Sequence, residues 1–153
     1  MTETFSIVPS EDRLLWFILG FVILILVSVA FVLVATARGS RSSTFEVSPT
    51  GLRIRGDIYG RLVPASAIRG SDARVVNLAT EGNLEPRRRT AGTAVPGYHS
   101  GWFRLRNGEK ALLYLTERGR AVYVPTTEGY SLLLSPQDPD RFVDRVRAIA
   151  GGG

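Results

Sequence analysis

The chain has no cysteine, one histidine and one lysine. Without cysteine there is no disulfide, thiolate metal site, thiol nucleophile or cysteine lipidation. A single histidine, His99, among scattered carboxylates is too little for the usual zinc ligand sets, so no metal is expected. No glycine-rich loop stands before a helix to cradle a phosphate, and no cofactor is expected. Ser100 follows His99, but Gly97-Tyr98-His99-Ser100-Gly101 is not the Gly-x-Ser-x-Gly elbow, because the serine stands one place late. Residues adjacent in sequence also rarely turn their working atoms toward each other. The inventory points away from an enzyme and toward a loop turn at His99.

Charge is missing too, and in one place. Leu14 to Ala37 carries no ionisable side chain, and 17 of its residues are Leu, Ile, Val or Phe. As a helix it is about 36 Å long, against about 30 Å for a bilayer's hydrocarbon core. Insertion is favoured by several kcal/mol on the roughly −0.3 to −0.6 kcal/mol per apolar residue near the centre. Ser28 and Thr36 are expected to bond back to the helix's own carbonyls. Ala35-Thr36-Ala37 fits a signal-peptidase site, but the acidic front and long apolar core favour an uncleaved anchor. No Gly-xxx-Gly pair marks a helix dimer; Gly20 stands alone.

The organisation expected is a tail over 1–13, a transmembrane helix over 14–37, a flexible polar linker over 38–43 and one domain over 44–150. From Arg38 onward 18 basic and 11 acidic residues leave a net charge of +7, and Lys110 is the only lysine. Arg38, Arg41, Arg53 and Arg55 follow the span and only Arg13 precedes it. The positive-inside rule then places the domain in the cytoplasm, at the inner membrane of a bacterium. A basic domain beside a bilayer would feel anionic lipid.

After the span the periodicity changes to short alternating segments. Phe45 and Val47, then Leu52 and Ile54, alternate with polar neighbours as half-buried strands do. Ile58 to Val63 reads as a strand, Pro64-Ala65-Ser66 breaks it, Ile68 caps the core, and Val75 to Leu78 reads as another strand. Thr80 to Ser100 has no clear period and reads as a long loop containing Arg87-Arg88-Arg89. Trp102 to Arg106 and Lys110 to Thr116 flank Asn107-Gly108, a tight hairpin turn. Phe103 and Leu105 should share one face, as should Ala111, Leu113 and Leu115. Ala121 to Val124 and Tyr130 to Leu134 form a second hairpin. A terminal helix is expected with Ser135 as N-cap, Pro136 at its first position, and Phe142, Val143, Val146 and Ile149 on its apolar side. The sum is a mainly β domain of about seven antiparallel strands, closed as a barrel or sandwich by a C-terminal helix.

These segments, in this order, resemble the bacterial pleckstrin-homology-like proteins, many of them membrane proteins of uncharacterised role. The residues concerned are Phe45-Glu46-Val47, Gly51-Leu52-Arg53-Ile54, Tyr59-Gly60-Arg61, Ile68, Arg89-Thr90-Ala91-Gly92, Pro96-Gly97-Tyr98-His99-Ser100-Gly101-Trp102-Phe103, Asn107-Gly108, Leu113-Tyr114-Leu115-Thr116 and Leu133-Leu134-Ser135-Pro136. Phe5-Ser6-Ile7-Val8-Pro9 and the apolar segment also match the layout. The resemblance implies a barrel with a terminal helix and a membrane location. It implies no reaction, and the Thr44 to Val63 hairpins lack a compact basic phosphoinositide signature.

The expected function is therefore a binding or scaffolding module acting by protein or peptide contact at the membrane, along an exposed strand edge. The alternative is anionic-lipid head-group binding through the arginine-rich loop. Arg87, Arg88 and Arg89 are the foremost candidates for gripping an anion, since guanidinium groups bind phosphate or carboxylate bidentately. Arg61 is a weaker candidate, able instead to pair with Glu46 or Asp57. Tyr98, His99 and Trp102 are candidates for partner contact, or for rim packing. Nucleic acid is not expected, because the basic residues do not interleave with exposed aromatics.

Overall fold

The computed structural model describes residues 13–151, and side chains at 35–42 and at Val95 are left aside. The chain divides near Ala35 and Thr36 into two units. Residues 1–12 of the expected tail, Phe5 to Pro9 among them, lie outside the described residues, and Arg13 is helical.

In the first unit, helix α1 begins at Arg13, and its backbone runs on to Ser42. Helical backbone therefore continues through Gly39 to Ser42, where composition favours a flexible linker. Residues Arg13–Val34 are long and apolar enough to cross a membrane. Their side chains are exposed along the whole length. Ser28 Oγ donates to Leu24 O at 2.8 Å, so this hydroxyl is satisfied within the helix as expected.

The described residues of the second unit form nine strands in two sheets. Strands β1 (Thr44–Ser48), β2 (Gly51–Arg55) and β3 (Leu62–Pro64) form a three-stranded antiparallel meander. The other sheet runs in the order β4-β8-β9-β7-β6-β5. Its strands are β4 (Arg74–Val76), β5 (Pro86–Val95), β6 (Tyr98–Leu105), β7 (Lys110–Leu115), β8 (Ala121–Pro125) and β9 (Ser131–Leu134). The two sheets do not close into one barrel, and helix α2 (Pro139–Ala150) completes the layer.

Two cores lie on opposite faces of the larger sheet. On one face Leu112, Tyr114, Val122, Val124, Leu132 and Leu134 pack against Leu52, Ile54 and Val63 of the small sheet and Phe142, Val143 and Val146 of α2. Phe45 joins these elements through edge-on contacts with Tyr114 and Phe142, at 6.2 and 6.0 Å between centroids. On the other face Phe103, Leu105, Ala111, Leu113 and Leu115 lie with Leu78 and Leu84. Both faces of the Asn-Gly hairpin are sorted as its alternation requires, and Gly108 has φ +90°. The segment over this second core is fastened by Leu78 N–H to Arg118 O and by Glu85 to Arg106 and Arg118.

Four expectations are corrected. Ile58 to Gly60 is a turn rather than strand, because the Asp57 carboxylate accepts from Tyr59 N–H at 2.9 Å and its carbonyl from Gly60 N–H. Thr80 to Ser100 is mostly strand: β5 pairs with β6 over nearly its whole length, interrupted by irregularities between Pro86 and Arg88 and between Arg89 and Ala91. The terminal helix is capped by Asp138, which accepts from Arg141 N–H, with Pro139 as its first residue. Ser135 instead receives the N–H groups of Thr116 and Glu117. Finally, the strands are not all antiparallel, since β9 inserts between β8 and β7 and runs parallel to β7.

Candidate functional site

The register of β5, β6 and β7 assembles a basic and aromatic surface. Trp102 of β6 is half-buried, with the Lys110 ammonium 4.3 Å and the Arg61 guanidinium 4.6 Å from its ring. Its ring meets that of Tyr130 in a T-shaped contact, with 5.1 Å between centroids. Cations over an indole gain about 0.5–1 kcal/mol at exposed sites. Arg61 thus reaches Trp102 rather than the carboxylates expected for it. Glu46 pairs with Arg55 at 3.3 Å, and the side chain of Asp57 accepts from Ser100 Oγ at 2.7 Å and from the Tyr114 hydroxyl.

Arg87, Arg88 and Arg89 are exposed, on the first half of β5 rather than on a loop. They do not converge. Arg88 is the register partner of Arg104, whereas Arg89 is opposite Phe103, on the other face of the sheet. Arg87 falls in the irregularity between Pro86 and Arg88. A single three-arginine grip is therefore replaced by charges spread over both faces of an edge strand.

The aromatic candidates separate in the same way. Tyr98 is buried, with its hydroxyl 3.3 Å from Ser43 Oγ, so its role is packing. His99 lies within β6, not on a turn, against Phe103 at 6.0 Å. Burial, and then the nearby charge of Arg118, hold its pKa below the ordinary 6.5. Protonation consequently favours the unfolded chain. The stability His99 contributes is complete above pH 6.5 and falls as pH drops toward its lowered folded value. His99→Gln is expected to flatten that acid limb of a thermal-melt series while leaving the neutral-pH melt nearly unchanged.

Burial, reinforced by its bond to Asp57, pushes the Tyr114 hydroxyl well above its usual range. Burial also raises Tyr130, with Arg61 pulling the other way. An adjoining open depression of 640 Å3, sharing Lys110 and Tyr130 with the Trp102 cluster, is lined also by Arg69, Arg74, Glu109 and Tyr123 among others. Within it Glu109 accepts from Tyr123 at 2.9 Å and from Ser131 Oγ at 3.1 Å, a self-satisfied set. No grouping of His, Asp and Glu suited to a metal ion occurs among the described residues.

Sequence reasoning passed over Arg104 and Lys110. The Asn107-Gly108 turn fixes their register, and alternation from Trp102 places Arg104 on the indole's face, so the signal was present.

No curated protein and no solved structure matches the chain. The domain's two sheets and terminal helix are consistent with a match of residues 44–149 to the bacterial PH domain family, and the chain belongs to that family.

Proposed function

We propose that the protein is a single-span membrane protein whose PH domain works by contact with a protein or peptide partner, without catalysis. The observation that carries this reading is β5. It has ten residues and forms one edge of the six-stranded sheet, pairing with β6 on one side only. Such an edge offers a row of backbone donors and acceptors to an incoming strand. The apolar helix supplies the tether, and the excess of basic residues after it supports a cytoplasmic domain at a bacterial inner membrane.

A second reading is favoured by the exposed arginines of β5, which form no ion pair among the described residues. In that reading they attract anionic lipid head groups. Photoreactive side chains at Arg87 and Thr93, in native membranes, separate the two. Protein adducts from both positions, with few from Asp144 on α2, are expected. Lipid adducts alone would favour the second reading. A reporter fused to the carboxy terminus checks the orientation.

A further inference from the structure

Three cations stand side by side across the larger sheet. Arg88 is the register partner of Arg104, and Arg104 is the register partner of Lys110. Register partners project to one face with Cβ atoms about 4.5–5.5 Å apart, and like charges so placed destabilise a sheet. All three side chains are exposed, and none has an acidic partner among the described residues. Arg104 donates to Gly108 O at 2.8 Å, and Lys110 lies over Trp102.

Charges on an edge strand often serve only to repel other edges. That explanation covers Arg87, Arg88 and Arg89, but not the continuation of the row onto β6 and β7, one and two strands inward. Past Arg88, the next two residues of β5 on the same face are Ala91 and Thr93, opposite Trp102 and Ser100. They are small and leave room beside the edge.

Resting on the contact reading above, we propose that β5 takes an acidic extended segment of a protein partner as an added strand. Backbone pairing to the free side of β5 supplies the docking. Carboxylates near the Arg87 to Arg89 end meet the row on one face and Arg89 on the other. Because those arginines serve both faces, consecutive acidic residues are accommodated there, followed by residues that need no charge.

The test uses the full chain in neutral detergent micelles. The probe is a synthetic peptide of about eight residues, a pair of glutamates followed by alternating threonine and valine, a strand-forming pattern. Its controls are the glutamine counterpart, an acidic version with N-methylated backbone, and a soluble short-chain phosphatidylglycerol. The acidic peptide is expected to bind at least about tenfold more tightly than the glutamine one, with the advantage shrinking as salt rises. It should slow hydrogen exchange in β5, and the N-methylated version should not bind. The Arg88→Glu, Lys110→Glu double variant should lose the advantage. Arg88→Gln should weaken binding while melting at the same temperature or higher, since it relieves repulsion.

Equal binding of the acidic and glutamine peptides, both slowing exchange in β5, would overturn the acidic preference and leave the contact reading intact. Phosphatidylglycerol binding at the row where neither peptide binds would overturn both. A lowered melting temperature for Arg88→Gln would make that arginine a structural residue and remove it from the proposal.

Discussion

Val146→Asp leaves α1 helical and the PH domain unfolded. Val146 is completely buried on α2, in the core formed with both sheets. The substitution removes an apolar side chain and places an unpaired carboxylate where no water reaches. Buried uncompensated charge belongs to the few mechanisms that exceed about 4 kcal/mol. A domain of this size has about 5–15 kcal/mol in total. In detergent, near-ultraviolet dichroism and protease resistance of the domain should collapse while the helical signal of α1 persists. Asp144→Asn, on the exposed face of the same helix, should change stability by no more than about 0.5 kcal/mol. A folded Val146→Asp domain would mean that α2 does not close the core.

Gly101→Val should peel β5 from the sheet. Gly101 has φ +104°, and a Cβ there would lie 2.4 Å from Ala91 O and 2.6 Å from Gly92 Cα. The atoms in the way are backbone, so no side-chain rotation relieves the clash. Gly92 is its register partner, with φ +142° and Ser100 O only 2.1 Å from a Cβ. The glycine pair therefore lets two strands approach where neither could carry a side chain. The conformation alone costs a branched residue about 1–3 kcal/mol, and the collision adds to it. Hydrogen exchange should accelerate through β5 and the adjoining half of β6, while β8, β9 and α2 remain protected. Binding of any added strand at β5 should vanish with it. Unchanged protection of β5 would show that the strand is held by something other than this close approach.

How far the fold is legible depends on how each element stores its information. The β6–β7 hairpin is written locally, in Asn107-Gly108 and in alternation, which fix the shared face of Phe103, Leu105 and Leu113. The apolar face of α2 was legible for the same reason, though two Pro-containing starts, at Ser135 and at Asp138, competed for the cap. Only Asp138 turns its side chain to the Arg141 N–H. The parallel pairing of β9 is not local. Ser131-Leu132-Leu133-Leu134 is buried on both faces, as interior parallel strands are, and an apolar run carries no sign of its neighbour's direction.

β5 was missed because its pattern is that of an edge. Only one side is paired, its side chains are small or charged, and two irregularities break the alternation. Three consecutive arginines stand out in the sequence, but a loop would let them converge, whereas a strand distributes them over two faces. The Trp102 cluster depends on Arg61 arriving from the connection between β2 and β3, a long-range contact with no local signature.

The contact account is tested most directly in the cysteine-free background that the sequence provides. A cysteine is placed at Thr93, exposed on β5, and another at Asp144, exposed on α2. Labelling by a thiol reagent is compared between opened native membranes and the purified chain in detergent. An occupied edge predicts that Thr93→Cys reacts several-fold more slowly in membranes while Asp144→Cys reacts alike in both. Equal labelling of Thr93→Cys in the two settings would contradict the account.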